Sequence, residues 1–115
     1  MPHFIIECSD VLLDKHSSEK IMKKVYEAAI SSNLFKPEEI KVRIRPYRNF
    51  YGTFSPIEFI HVFGNIMEGR NQVQKNTLSK NIVTGLNQLF PEVSIISMNI
   101  RDFDRTGYFN KQMLP

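Results

Sequence analysis

Apolar and polar positions follow two alternating rhythms along this chain. Residues 3–8, His-Phe-Ile-Ile-Glu-Cys, form a short apolar run bounded by Ser9-Asp10, which predicts a strand. Ser17 or Ser18 is placed to cap a helix running to about Asn33, because Ile21, Val25, Ala28 and Ala29 recur at helical spacing. Leu34-Phe35 closes that helix, and Pro37, with its fixed φ and no amide proton, forbids continuation. Ile40, Val42 and Ile44 then alternate with Lys41, Arg43 and Arg45, a period of two that predicts a strand with one polar face. The second half reads the same way. A strand is predicted over about residues 57–67, broken by Gly69. A helix follows from about Asn71 to Leu89 with Leu78, Ile82, Leu86 and Leu89 as its stripe, and Pro91 stops it. Residues 93–101 form the last strand, and the tail, 102–115, carries Gly107 and several aromatics without a clear period.

The two halves resemble each other. Leu34-Phe35-Lys36-Pro37 leads to a run ending Ile44-Arg45, and Leu89-Phe90-Pro91 leads to one ending Ile100-Arg101. The offset is 54–56 residues, and Phe4-Ile5-Ile6 recurs within it as Phe59-Ile60-His61. This is a tandem βαβ repeat, about 2–50 and 57–101, within one domain spanning 1–115. The fold class is α+β. Right-handed crossovers put both helices on one face of a four-stranded mixed sheet. The opposite face is left bare, and a sheet with a bare face and open edges is expected to associate with itself.

Composition narrows the class. At 115 residues with 42% hydrophobic and 23% charged side chains, the chain can bury a real core and is not disordered. One Cys excludes a disulfide scaffold and fits a reducing compartment. No apolar run nears the roughly 18 residues of a membrane span, and the start lacks a basic region before its apolar stretch, so a cytoplasmic protein is expected. A net charge of +3 suits nucleic acid or a small anion equally until the charge is located.

Three features carry candidate chemistry. Pro2 follows the initiator Met. Removal of Met1 would expose a secondary amine, and α-amino groups titrate at about 7.7–8.0 in model peptides. Burial beside cations lowers that further, giving a general base near neutral pH. With Met1 retained, Pro2 is a tertiary amide and no base. The second feature is Ile66-Met67-Glu68-Gly69-Arg70, where a strand hands over to a helix and Arg70 joins the positive helix end as a site for carboxylate or phosphate. The third is the row Lys41, Arg43 and Arg45, roughly 7 Å apart along one strand face, with Arg48 just beyond. The nearby aromatics Tyr47, Phe50 and Tyr51 follow the row instead of interleaving with it, which argues against nucleic acid. Cys8 reads as a buried small residue. His3, His16 and His61 are scattered, no cluster has metal-ligand spacing, and Gly52, Gly64 and Gly69 are too isolated for a phosphate loop.

Met1-Pro2-His3-Phe4-Ile5-Ile6-Glu7-Cys8-Ser9 closely resembles the start of the 5-carboxymethyl-2-hydroxymuconate delta-isomerases of the tautomerase superfamily. Residues 66–78 resemble the matching stretch of 4-oxalocrotonate tautomerase, a half-length relative, and Tyr108-Phe109-Asn110-Lys111-Gln112 resembles the isomerase C-terminus. The resemblance implies the tautomerase fold, a homotrimer that closes three sheets into a barrel with sites between subunits, no cofactor and no metal. It implies Pro2 as catalytic acid and base, and Arg70 as the grip on a substrate carboxylate. A second family arginine falls at Lys41, a departure that keeps charge and loses the bidentate fork, so either Lys41 binds more loosely or Arg43 shares the task. The segment 46–56 also departs from the isomerase in length and sequence. Pro2 has no counterpart in the second half, where Ile60 falls, and Arg70 none in the first, where Leu12 falls, so the site is composite. The implied activity is proton transfer in a 2-hydroxymuconate-type dienol acid during aromatic-compound catabolism, with a small carboxylate as partner and neither nucleic acid nor membrane. The alternatives are a phenylpyruvate-type tautomerase like macrophage migration inhibitory factor, or a non-catalytic trimeric binding or signalling module.

Overall fold

The computed structural model describes residues 1–52 and 57–115. Of the segment 46–56, residues 53–56 lie outside the described residues. Strands are β1 (His3–Ser9), β2 (Lys41–Tyr47), β3 (Phe59–Met67) and β4 (Ile95–Phe103); helices are α1 (Ser18–Ser31) and α2 (Gln72–Leu89). They form one four-stranded sheet in the order β2-β1-β3-β4. β1–β2 and β3–β4 pair in parallel, and β1–β3 antiparallel. Each parallel pair needs a crossover, and each crossover is a helix. This is the tandem βαβ arrangement with two helices that the periodicity predicts.

Local chemistry sets the helix ends. Ser17, and not Ser18, caps α1: its Oγ accepts from the Lys20 amide at 3.1 Å. Asn71 caps α2 through a capping box, its Oδ1 accepting from the Gln74 amide at 2.8 Å while Gln74 Oε1 accepts from the Asn71 amide at 2.9 Å. α1 ends at Ser31, short of Asn33, which sits in the left-handed region at φ 60° and turns the chain toward β2.

The core lies between the helices and one sheet face. Phe4, Ile6 and Cys8 of β1 and Ile60 and Val62 of β3 meet Ile21, Val25 and Ala29 of α1 and Leu78, Ile82 and Leu86 of α2, all buried. His3, Ile5, Glu7, Phe59, His61, Phe63 and Asn65 take the alternate positions and stay partly exposed. Ala28 and Leu89, expected in the helix stripes, pack at the edge of this core.

The repeat register differs from the one read in the sequence. Matching Phe4 to Phe59 is an odd offset, and it equates a buried residue with one on the other face. The ladders allow even offsets only. Residues 38 apart pair β1 with β2, residues 36 apart pair β3 with β4, and Ile5 lies directly opposite Phe63. A dyad through that pair equates β1 with β3 at 58, and β2 with β4 at 56. The second relation superposes Ile44-Arg45 on Ile100-Arg101.

Two strands shift from their predicted limits. β3 begins at Phe59, held by its amide donating to Ser9 Oγ at 3.0 Å. β4 begins at Ile95, two residues late, because the Val93 amide bonds back to the Phe90 carbonyl at 3.1 Å and closes a turn. The tail is organised by single-turn 3-10 segments at Arg105–Gly107 and Lys111–Met113, too short to leave a period. Among the described residues no helix is long and apolar enough to cross a membrane.

Gly69 links β3 to α2 at φ +121°, where a Cβ is strained, although the nearest atom to that Cβ would be Arg105 Nη2 at 4.0 Å. The cost of Gly69→Ala is therefore conformational. It is expected to lower unfolding free energy by about 1–3 kcal/mol in urea titrations. An unchanged midpoint would show that the turn adopts ordinary backbone angles.

Candidate functional site

Strand polarity gathers the predicted residues at one end of the sheet. β1 and β2 begin there, and β3 and β4 end there. Pro2 leads into β1 and is buried. Its carbonyl accepts from the Lys41 amide at 3.1 Å, so the first residue of β2 is fastened directly to it. With Met1 attached, the Pro2 nitrogen is an amide and carries no proton.

His3 follows, opposite Lys41 on β2 and Asn65 on β3. Arg43 Nη1 lies 3.0 Å from His3 Nδ1 and donates to it. That bond needs an unprotonated Nδ1. Burial lowers the His3 pKa, followed by the charges of Arg43, the chain's amino terminus and Lys41. A neutral imidazole thus holds the Arg43 guanidinium next to the start of β1. Lys41 turns outward, its Nζ donating to the Glu38 carbonyl at 3.2 Å.

Arg70 lies apart from this pair. Its Nη1 donates to the Met67 carbonyl at 3.2 Å and Nη2 to the Leu34 carbonyl at 2.8 Å. Its guanidinium rests on the Phe35 ring, 4.9 Å from the centroid, and Phe35 in turn packs edge-on against Phe4. Among the described residues no hydrogen bond or ring contact joins Arg70 to Pro2, Lys41 or Arg43. Nor do the two capping amides of α2 face an open anion site, because Asn71 and Gln74 satisfy each other. A guanidinium has five donors, so Arg70 keeps free N–H groups while two are fixed on backbone.

Periodicity missed two parts of this end. Phe35 carries Arg70, yet its distance along the chain gives no sign of it. The tail builds a hollow of about 320 Å³ with His3, Phe103, Asp104, Gly107 and Tyr108. Phe103 and Tyr108 stack there, with centroids 5.4 Å apart. The only advance signal was the likeness of Tyr108–Gln112 to the isomerase C-terminus.

The remaining candidates have structural roles. Cys8 is 1% exposed, and burial, then Asp10, pushes its thiol up to about 11, which leaves it protonated and inert at neutral pH. His16 bonds the Leu89 carbonyl at 2.9 Å and packs on Phe90. His61 lies between Ser97 Oγ and Asn99 Oδ1, each 2.6 Å away. A larger hollow, about 400 Å³, opens at the other end of the sheet between Val11, Lys15, Glu58 and Glu92, remote from Pro2.

Solved structures share this architecture. A 5-carboxymethyl-2-hydroxymuconate isomerase from Deinococcus radiodurans R1 superposes with a TM-score of 0.82 at 18% identity, covering 96% of this chain and 88% of that one. A 5-carboxymethyl-2-hydroxymuconate delta-isomerase gives 0.76 at 11% identity, covering 96% and 86%. A fused 4-OT described as an asymmetric trimer gives 0.75 at 11% identity, covering 95% and 92%. Identities this low carry the fold alone. No curated protein matches the chain. The sequence model of the family described as "CHMI: 5-carboxymethyl-2-hydroxymuconate isomerase" matches residues 2–114, and the chain belongs to that family, whose members are isomerases of the tautomerase superfamily.

Proposed function

We propose that this isomerase moves a proton within a 2-hydroxymuconate-type dienol acid, 5-carboxymethyl-2-hydroxymuconate, in aromatic-compound catabolism, with Pro2 as acid and base. The observation that carries the reading is the junction at the sheet end. A buried Pro2 is bonded through its carbonyl to the Lys41 amide, and the adjacent His3 holds the Arg43 guanidinium.

Removal of Met1 turns the Pro2 nitrogen into a secondary amine. Nearby cations disfavour its protonated form, so it is free to accept a proton near pH 7. It takes the enol proton from the C2 hydroxyl and returns it to a distal carbon, giving the conjugated ketone with no net change of atoms. Arg70 binds one substrate carboxylate, and Lys41 with Arg43 binds the other. Guanidinium charge beside the C2 oxygen stabilises the enolate as it forms. The chemistry needs no cofactor.

Arg70 is fixed on the helix side, whereas Lys41 and Arg43 lie on the open side. A second copy therefore completes the site most simply, as in the homotrimer the family resemblance implies, with one site per chain. Separate cations, Arg70 from one side and Lys41 with Arg43 from the other, favour a diacid over a phenylpyruvate-type substrate, which offers a single carboxylate.

Intact mass and assay together test the reading. Untagged protein is expected to lack Met1 and to isomerise 5-carboxymethyl-2-hydroxymuconate faster than phenylpyruvate. Arg70→Ala is expected to cost roughly 10–150-fold in kcat/KM, the loss of one charged hydrogen bond, and more than Lys41→Ala does. Lys41→Arg, which restores the fork, is expected to be neutral or better. Retained Met1, or full activity in Arg70→Ala, would sink the assignment.

Sedimentation equilibrium is expected to give three times 13.4 kDa. A monomer at micromolar concentration would contradict the shared site.

Acid is expected to loosen this end of the molecule. The His3 pKa is lowered in the folded state, so the unfolded chain binds a proton first as pH falls below its ordinary value of 6.5. Stability from this residue is complete above that pH and drains away below it. Thermal melts between pH 7.5 and 5 are expected to fall more steeply for the native sequence than for His3→Gln. Parallel curves would show that His3 protonates freely.

A further inference from the structure

The Leu-Phe pair recurs where each helix gives way to its strand, and ending a helix does not explain what it does there. In the first half the Leu34 carbonyl accepts from Arg70 Nη2 at 2.8 Å, and the Phe35 ring lies under the same guanidinium, 4.9 Å from its centroid. In the second half the Leu89 carbonyl bonds His16 Nε2 at 2.9 Å, and the Phe90 ring packs edge-on against the same imidazole, with centroids 5.1 Å apart. Each pair thus grips one basic side chain that the other half contributes. The arrangement occurs twice, so it is a device of the fold.

The two cradles differ in what they present. Phe90 is fully buried and holds an imidazole, which can be neutral. Phe35 and Arg70 are only half-buried, and a guanidinium is always charged. The first cradle therefore offers a fixed cation to a ligand. Its ring is itself braced. Phe35 packs edge-on against Phe4 with centroids 6.0 Å apart, and Phe4 is fully buried two residues after Pro2. Gly64, opposite Phe4 on β3, makes room for that ring: a Cβ there would meet Phe4 Cε1 at 3.3 Å and Met98 Cε at 2.8 Å. Two rings thus connect the start of β1 to Arg70. A long side chain loses rotamer freedom when it grips a ligand, and one already held by two carbonyls and a ring has met that cost on folding.

We propose that Phe35 is a positioning residue of the isomerase, its ring, braced by Phe4, holding the Arg70 guanidinium in place relative to the Pro2 end for a substrate carboxylate. This rests on the roles of Pro2 and Arg70 proposed above.

Steady-state kinetics on 5-carboxymethyl-2-hydroxymuconate test it. Phe35→Leu, which keeps apolar bulk and loses the ring, is expected to lower kcat/KM roughly 3–30-fold, the range of a cation–ring contact. Phe35→Tyr keeps the ring and is expected to retain the native value. In an Arg70→Ala background Phe35→Leu is expected to cost nothing further, because the ring acts only through the guanidinium. Independent, multiplying losses, or equal losses in Phe35→Tyr and Phe35→Leu, would reduce Phe35 to general packing and overturn the proposal. Full activity in Phe35→Leu beside an impaired Arg70→Ala would overturn it while the isomerase reading stands. An inactive native protein, or a fully active Arg70→Ala, would defeat the isomerase reading and this proposal with it. Proton NMR of the native protein needs no variant at Phe35. The Arg70 side-chain resonances, assigned with Arg70→Lys, are expected upfield of their random-coil positions because of the Phe35 ring. Random-coil positions would reject the cradle even if every Phe35 variant failed to fold.

Discussion

The alternation of β1 governs the rest of the molecule. β1 is central, paired with β2 on one side and β3 on the other, so its register fixes theirs. Phe4, Ile6 and Cys8 point into the core with at most 1% exposure, and His3, Ile5 and Glu7 point the other way. A slip of one residue would exchange the two sets. Each large apolar side chain moved to solvent forfeits about 1.5–3 kcal/mol. A single hydrogen bond contributes about 1 kcal/mol net. Burial therefore decides the register, and the polar face follows as a consequence.

That consequence creates the chemistry. Because His3 pairs with Lys41, and Ile5 with Arg43, every cation at the odd positions of β2 is forced onto the open face. They cannot be neutralised by the helices, which lie on the other side. Pro2 shares the parity of Phe4 and is drawn under the edge of the core, yet its carbonyl is fastened to Lys41. The chain end thus stands where buried apolar packing meets an uncompensated row of charge. Arg70 reaches the same end by a different route, through the left-handed turn at Gly69 and the carbonyls of Leu34 and Met67.

Much of this was legible in the sequence, for physical reasons that can be named. Strong periods mark elements that bury one face, so both helices and the alternation of β2 could be read directly. Pro91 marked the end of α2 because proline cannot continue a helix, whereas α1 already ends at Ser31, well before Pro37. The start of β4 was misplaced because Val93 is apolar and buried, as a strand residue would be, while its amide serves a turn. The Phe4–Phe59 match failed because residue likeness ignores parity, whereas sheet pairing does not. Arg101 was visible as the echo of Arg45, but only the ladder shows that the two share a face. The cradle of Arg70 was out of reach, since Leu34 and Phe35 are brought to it by tertiary packing alone.

Duplication explains why the two ends of one sheet differ so much in chemical content. A twofold chain would carry two identical sites, one at each end. Here the dyad equates Pro2 with Ile60, which is mid-chain and can never offer a free amine, and Arg70 with Leu12, which is 1% exposed and belongs to the core. The two proposed components of the site are thus split between the halves. The first half retains the only position that can become an amine, and the second retains the turn that carries the guanidinium. Antiparallel pairing of β1 with β3 brings the start of one to the end of the other, so the two retained components fall at the same end. Their equivalents, Ile60 and Leu12, fall together at the opposite end, where Leu12 lines a hollow.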